Sequence, residues 1–221
     1  MERYQKAVVV TNGNIEDFNI IKKHIARYGF SQNNLIVSAD GGTDNALKLE
    51  LVPDLVVGDM DSISQKTQKN IKSLNKDAVF ISEPPQKDET DTHLALQAAL
   101  KYQVKEILII GAIGNRVDHS LANIVLLSSP FLSGIDVRIL TETNEIFAIR
   151  EPAEINGDVG KLISLFSLTP YTHFKKVEGL KYNLKNEKLY FSPVRGISNV
   201  FTQNKAFIDI TSGQLLIIKE I

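Results

Sequence analysis

Two pairs of aspartates in the first half of the chain have spacings that suit the binding of a cation. Asp59 and Asp61 are separated by a single residue, and Asp88 and Asp91 by two. In an extended or turning segment the carboxylates of Asp59 and Asp61 face one centre, where they repel each other unless a cation lies between them. Mg²⁺ takes one or two carboxylates together with phosphate oxygens. This first pair therefore predicts a metal site, with a solvated acidic turn as the alternative.

The second pair has two explanations. On the first turn of a helix, Asp88 and Asp91 would share a face and bind a metal together. Acidic residues at a helix N-terminus also stabilise the helix dipole without any metal. Lys87 lies beside them and can contact a phosphate as a point charge. Metal binding and helix capping both remain open for this segment.

Glycine-containing turns follow two other predicted strands. In Asp40-Gly41-Gly42 the glycines let the backbone approach a ligand closely, and the N–H groups of the next helix can face a phosphate. An ordinary strand-to-helix turn with Asp40 as the cap explains the same residues.

The second such turn, residues 111–116, leads into a helix that carries three polar candidates. Arg116 can clamp a phosphate, Asp118 can cap the helix or hold Arg116, and His119 can act as an acid or base. A histidine in the first turn of a helix is more often a capping or surface residue. Neither G-x-G-x-x-G nor G-x-x-x-x-G-K-[ST] occurs in the chain, so the Rossmann and Walker fingerprints are excluded.

Short β-branched runs alternate with helical patterns over the first two thirds of the chain. We predict strands over 7–11, 35–39, 55–58, 78–81, 106–110 and 137–140, a first helix capped by Asn14, and further helices over 43–49, 65–74, 90–102 and 118–129. This alternation predicts an α/β fold with a mostly parallel sheet flanked by helices. Five polar loops would then meet at one edge of the sheet, where such folds bind ligands.

The pattern of apolar and turn-forming residues changes after about residue 145. Helical patterns end, and short apolar runs are separated by turn-forming residues, which predicts a small antiparallel β-domain. We place the domain boundary between residues 148 and 149, so that the α/β domain covers 1–148 and the β-domain covers 149–221.

Composition excludes several classes of protein. The chain has 221 residues and no cysteine, so disulfides, thiolate catalysis and Cys-ligated zinc are excluded, and a metal would need mainly oxygen ligands. A formal net charge of -1 gives no argument for a nucleic-acid partner or an anionic membrane. The N-terminus lacks the long apolar stretch of a signal peptide, and no apolar run is long enough to span a bilayer. We expect a soluble cytoplasmic protein.

Taken together, the loops resemble those of thiamine pyrophosphokinases in order and spacing. The resemblance is carried by Asp40-Gly41-Gly42, Pro53-Asp54, Gly58-Asp59-Met60-Asp61-Ser62, Lys87-Asp88-Glu89-Thr90-Asp91, Gly114-Asn115-Arg116-Val117-Asp118-His119, Gly179-Leu180-Lys181-Tyr182 and Gly196-Ile197-Ser198-Asn199. It covers nearly the whole chain. It implies an α/β domain followed by a small β-sandwich, a homodimer, and transfer of the pyrophosphoryl group of ATP to the hydroxyl of thiamine, which yields thiamine diphosphate and AMP.

The resemblance also implies roles for individual residues. The acidic Mg²⁺ cluster of the family is matched by Asp59, Asp61, Asp88 and Asp91. The chemistry of the transfer makes Asp61 and Asp91 alternative candidates for taking the hydroxyl proton. The nucleotide-contacting loops are matched by Asp40, Gly41, Gly42, Thr90, Arg116, Asp118 and His119, to which Lys87 adds a charge. Ser198 and Asn199 match the segment that lines the thiamine pocket at the dimer interface. Asn115 and Val200 stand where the family often has a glycine and an acidic residue.

Two other functions remain open from the residues themselves. Another Mg²⁺-dependent nucleotide phosphohydrolase on the same scaffold would release phosphate from ATP without an acceptor. A non-catalytic nucleotide or thiamine sensor would bind its ligand and form no product.

Overall fold

A computed structural model describes residues 4–61, 63–82, 84, 86 and 88–221. The chain forms two compact units, Met1–Glu142 and Thr143–Ile221. The division falls earlier than the boundary expected from the sequence, because the strand Asn144–Ile149 pairs with the last strand, Leu215–Glu220, and so belongs to the second unit.

The first unit alternates strands with helices. Its elements are β1 (Lys6–Val10), α1 (Phe18–Arg27), β2 (Leu35–Ala39), α2 (Gly42–Lys48), β3 (Leu55–Gly58), α3 (Gln65–Leu74), β4 (Val79–Ser82), α4 (Asp91–Leu100), β5 (Glu106–Ile110), α5 (Val117–Leu126), a short 3₁₀ turn (Pro130–Leu132) and β6 (Asp136–Leu140). The strands pair in parallel in the order β6-β5-β1-β2-β3-β4.

The central strands are apolar on both faces because the sheet is covered on both sides. Residues 7–10 of β1 are fully buried, and β2 and β5 are nearly so. Helices α2 and α4 pack on this part of the sheet, and α4 does so through small side chains such as Ala95 and Ala99. The predicted parallel α/β fold is confirmed.

The structure defines the starts of two helices that lie near the candidate residues. The carboxylate of Asp17, and not Asn14, caps α1, accepting from the backbone N–H groups of Asn19 and Ile20. Helix α4 begins at Asp91 behind the extended cap residue Thr90. Asp88 therefore precedes the helix, so Asp88 and Asp91 do not share its first turn.

The second unit is an antiparallel β-sandwich. Its strands are β7 (Asn144–Ile149), β8 (Ala153–Asn156), β9 (Leu162–Ser167), β10 (Tyr171–Glu178), β11 (Lys185–Tyr190), β12 (Asn199–Val200), β13 (Lys205–Ser212) and β14 (Leu215–Glu220). One sheet runs β12-β9-β14-β7 and the other β11-β10-β13-β8. Buried residues of both sheets, including Phe147, Leu165, Phe174 and Ile208, form one core, so the predicted antiparallel sandwich is confirmed.

The described part of the chain contains no helix with the length and apolar character required to cross a membrane.

Candidate active site

The first unit has a cavity where the strand order reverses. In the sheet, β1 lies between β5 and β2, so the chain leaves β1 in one direction and later returns on its other side. Open α/β sheets bind ligands beyond the strand ends at such a point. A cavity of about 300 Å³ lies there, lined by residues that follow β1, β2 and β5 and by the first turns of α4 and α5. The cavity therefore lies at the edge of the sheet where the sequence predicted that the polar loops would bind a ligand.

The loops after β1 and β5 continue the pairing of their strands into this cavity. The backbone N–H of Gly13 donates to the carbonyl of Gly111 at 2.6 Å, and that of Asn14 donates to the carbonyl of Ile113 at 3.0 Å. A β-carbon on Gly13 would lie 2.1 Å from the carbonyl oxygen of Gly111. Only glycine allows the two loops to approach this closely.

An acidic cluster lies at the same edge. Carboxylate oxygens of Asp40, Asp59 and Asp61 lie within 4.8 Å of one another. Asp40 follows β2, and the other two follow the neighbouring strand β3. Met60 between them has a positive φ of 65°, and the N–H of Asp61 donates to Oδ1 of Asp59 at 3.2 Å. The sharp turn thus brings both of these carboxylates to the side of Asp40.

The carboxylate of Asp40 carries an unsatisfied atom. Its Oδ1 is buried and, within the described residues, has no hydrogen-bond partner. Leaving a buried charged oxygen without a partner is costly, whereas a hard cation held by three carboxylates would satisfy it. The residues present therefore fit a divalent cation such as Mg²⁺.

Two other predicted members of the acidic cluster, Asp88 and Asp91, are not part of this group of three among the described residues. Asp91 and Thr90 line the cavity, and Thr90 Oγ1 accepts from the N–H of His93 at 3.2 Å. Asp88 is exposed ahead of α4. Among the described carboxylates, neither Asp88 nor Asp91 joins the group that lies within 4.8 Å. Lys87 lies outside the described residues.

Arg116 and Asp118 form an exposed ion pair at the start of α5. The Nε of Arg116 donates to Oδ1 of Asp118 at 3.0 Å, and a terminal nitrogen donates to Oδ2 at 2.6 Å. The Arg116 hydrogen bond holds the pKa of the Asp118 carboxyl well below its usual range, and the same bond raises the pKa of Arg116. Of the two roles expected for Asp118, the structure shows that of holding Arg116. Arg116 and His119 both line the cavity.

Sequence reasoning missed two residues on the inner side of α5. Asn123 is buried and donates through Nδ2 to the carbonyl of Ala112 at 2.8 Å. Ser120 Oγ accepts from the N–H of Gly114 at 3.0 Å. Both line the cavity and hold the loop after β5. Their spacing of three on a helix whose Val117 and Leu121 face outward was the available signal.

Ser198 and Asn199 lie in the second unit, where β12 begins. Ser198 has a positive φ of 57°, and its N–H donates to Ser164 Oγ at 3.1 Å. Asn199 is buried, and its Oδ1 accepts from the N–H groups of Tyr182 and Val200, both at 2.9 Å. Its Nδ2 donates back to the carbonyl of Tyr182 at 2.8 Å. The amide of Asn199 thus holds the turn that contains Tyr182.

Fold and site together define a class of protein: a doubly wound α/β domain with a ligand cavity and a candidate cation site at its switch point, joined to a β-sandwich. Residues 26–139 match the family described as "Thiamin pyrophosphokinase, catalytic domain". Residues 148–215 match the family described as "Thiamin pyrophosphokinase, vitamin B1 binding domain". The chain belongs to the thiamin pyrophosphokinase family.

Individual thiamine pyrophosphokinases are similar to this chain over most of their length. The chain is 29% identical to a thiamine pyrophosphokinase of Bacillus subtilis over 191 residues, which cover 85% of this chain and 88% of that one. The crystal structure of a B. subtilis thiamine pyrophosphokinase superposes with a TM-score of 0.81 at 27% identity, covering 97% of this chain and 98% of that one. For yeast thiamin pyrophosphokinase the TM-score is 0.79 at 21% identity, covering 100% and 88%, which shows the fold alone.

Proposed function

We propose that this protein transfers the pyrophosphoryl group of ATP to the hydroxyl of thiamine, which yields thiamine diphosphate and AMP. Membership of the family supports the reaction. The structural observation that supports it is the group formed by Asp40, Asp59 and Asp61 beside a cavity at the switch point. In this group Oδ1 of Asp40 is buried and has no hydrogen-bond partner among the described residues.

The acidic cluster is the proposed Mg²⁺ site. Asp40, Asp59 and Asp61 would hold the ion, which when bound neutralises charge on the phosphate oxygens. We thereby assign Asp40 to the metal site, whereas the resemblance implies a nucleotide-contacting role for it; metal binding by Asp88 and Asp91 stays a prediction. Asp91 lines the cavity and stays a candidate, together with Asp61, for taking the proton of the thiamine hydroxyl. A direct role for Asp88 remains a prediction.

The cavity is the proposed ATP site. Arg116 offers a positive, planar donor group at its rim, already oriented by Asp118. Gly41 and Thr90 line the cavity with backbone and hydroxyl groups, and His119 lies on the α5 side. Gly42 is the first residue of α2. A contact between Lys87 and a phosphate stays a prediction. Pyrophosphoryl transfer needs mainly charge neutralisation and alignment, which such a set supplies.

The turn at Ser198 and Asn199 is the proposed thiamine-binding segment. Because both acceptor positions of Asn199 Oδ1 are used within the turn, we assign Asn199 the shaping of this segment. Ser198 is exposed and in a backbone conformation held by Ser164, so it is available to the substrate.

We also propose a homodimer and a cytoplasmic location. Val117, Leu121 and Val125 follow one another at spacings of four on α5 and are all exposed, which supports burial of this face against a second copy. A reaction that consumes ATP requires a compartment that supplies it, which favours the cytoplasm.

One incubation with three arms tests the proposed reaction. All three arms contain the protein, ATP and MgCl₂. The first also contains thiamine, the second lacks thiamine, and the third contains thiamine and excess EDTA. We expect AMP only in the first arm. Phosphate or ADP released without thiamine would favour a phosphohydrolase. Binding of ATP or thiamine without any product would favour a sensor.

A further inference from the structure

The loop after β1 (residues 11–14, the β1 loop) is tied by side-chain amides from both of its sides. It forms the central wall of the cavity, since Thr11, Asn12, Gly13 and Asn14 all line it. From the β2 side, Asn45 of α2 donates through its single Nδ2 to the carbonyls of Thr11 and Gly13, both at 3.0 Å. Asn45 therefore satisfies two loop carbonyls at once.

On the β5 side, Asn115 makes the corresponding tie. Its Oδ1 accepts from Nδ2 of Asn14 at 3.1 Å. This bond stands at the end of the backbone pairing in which Gly13 and Asn14 donate to Gly111 and Ile113. On this side the loop is also anchored by those backbone bonds and by Thr11, whose Oγ1 donates to the carbonyl oxygens of Ile110 at 3.2 Å and Gly111 at 2.5 Å.

Asn45 is half-buried and does not line the cavity, so it has no direct contact to offer a ligand there. Its two acceptors are carbonyls of residues that do line it. We propose that Asn45 is a positioning residue of the nucleotide cavity, which holds the β1 loop in the shape that binds ATP, and that Asn115 completes the tie from the opposite side. The inference rests on the proposed function in taking ATP as the occupant of this cavity.

A loop held in its binding shape before the ligand arrives loses less freedom on binding, so preorganisation appears as affinity. Removing Asn45 should therefore weaken nucleotide binding and leave the thiamine side unaffected. Asn45→Leu has nearly the same shape and no donor. We expect the dissociation constant for ATP in MgCl₂, measured by equilibrium dialysis, to rise about tenfold, as for the loss of one to two hydrogen bonds. Asn115→Ala removes one exposed bond and should raise it about threefold.

Steady-state kinetics separate this role from general destabilisation. In both variants the KM for ATP should rise in parallel with the dissociation constant, while kcat and the KM for thiamine stay within about twofold. The matched control is Asn70→Ala on the exposed side of α3, which should change none of these values. If Asn45→Leu does not fold, Asn45→Ala replaces it. An unchanged affinity for ATP, or equal increases in both KM values, would overturn the inference.

Hydrogen exchange tests the positioning role of Asn45 independently of the proposed reaction. The amides of Gly13 and Asn14, which donate to Gly111 and Ile113, should exchange at least several-fold faster in Asn45→Leu without any ligand. Unchanged exchange would show that Asn45 does not hold the loop, even if the wild type makes thiamine diphosphate. Faster exchange in a protein that binds no ATP would instead refute the proposed substrate.

Discussion

Asp40 and Gly58 approach each other so closely that a β-carbon on Gly58 would lie 2.8 Å from the β-carbon of Asp40. The backbone N–H of Asp40 donates to the carbonyl of Val57 at 2.8 Å, which joins the ends of β2 and β3. Gly58 has a φ of 153° and Asp40 a φ of 41°. The missing side chain of Gly58 thus allows the Asp40 carboxylate to reach Asp59 and Asp61.

Gly58→Ala should therefore damage the cation site more than the fold. The added methyl group must displace Asp40, and we expect the affinity for Mn²⁺, measured by electron paramagnetic resonance, to fall about 10- to 100-fold, as when metal ligands lose their supporting contacts. Gly134→Ala is the matched control, because Gly134 also has a positive φ but no atom of the described residues lies within 4 Å of its added β-carbon. Equal Mn²⁺ affinity in the two variants would show that Gly58 does not position Asp40.

Neutralising the acidic cluster should abolish turnover and spare the fold. Asp40→Asn and Asp61→Asn keep the side-chain shape and each remove one negative charge from the group. We expect kcat to fall about 10²-fold or more, as for other losses of charge stabilisation in an active site. Asp77→Asn changes an exposed aspartate outside this cluster and should behave as the wild type. Retained activity in Asp40→Asn would remove Asp40 from the site.

The Arg116–Asp118 pair should persist far into the acid range. The pKa of the Asp118 carboxyl is lowered in the folded protein, so the interaction is present above its unfolded pKa and is lost only as pH falls through the lowered one. Carbon-13 NMR titration of Asp118 should show an ionised carboxylate well below the range of ordinary aspartates. Arg116→Ala should return it to that range. An ordinary titration in the wild type would mean that the pair does not form in solution.

A charge on the outer face of α5 should separate the proposed dimer. Leu121 is 59% exposed in the single chain, and Leu121→Glu would place a carboxylate in the proposed interface. We expect light scattering to give the mass of a dimer for the wild type and of a monomer for the variant. Leu74→Glu, at a position 58% exposed on α3, should remain dimeric. A dimer that survives Leu121→Glu would place the interface elsewhere.

Much of the fold was predictable because each apolar run is followed directly by a polar loop. The β-branched residues of β1, β2 and β5 are buried on both faces, as a covered parallel sheet requires. The domain boundary was harder to predict from the sequence, because β7 resembles the strands before it. Only its pairing with β14 assigns β7 to the second unit.

Membership of the acidic cluster could not be deduced from spacing along the chain. Asp40 is distant in sequence from Asp59 and Asp61 and joins them because β2 and β3 are neighbours. Asp88 lies near Asp91 in sequence, but α4 begins at Asp91, so Asp91 lies in the first turn of the helix and Asp88 in the loop before it. In the same way, residue type alone did not distinguish Asn199 as a buried structural amide from an exposed ligand-binding one.

The most direct test of the account follows a label from ATP into thiamine. ATP labelled with ³²P at the β-phosphate is incubated with the protein, thiamine and MgCl₂, and the products are separated. We predict that thiamine diphosphate carries the label, that unlabelled AMP forms in equal amount, and that neither appears when Asp61→Asn replaces the wild type. Label recovered in ADP or in free pyrophosphate, with none in thiamine diphosphate, would contradict the account.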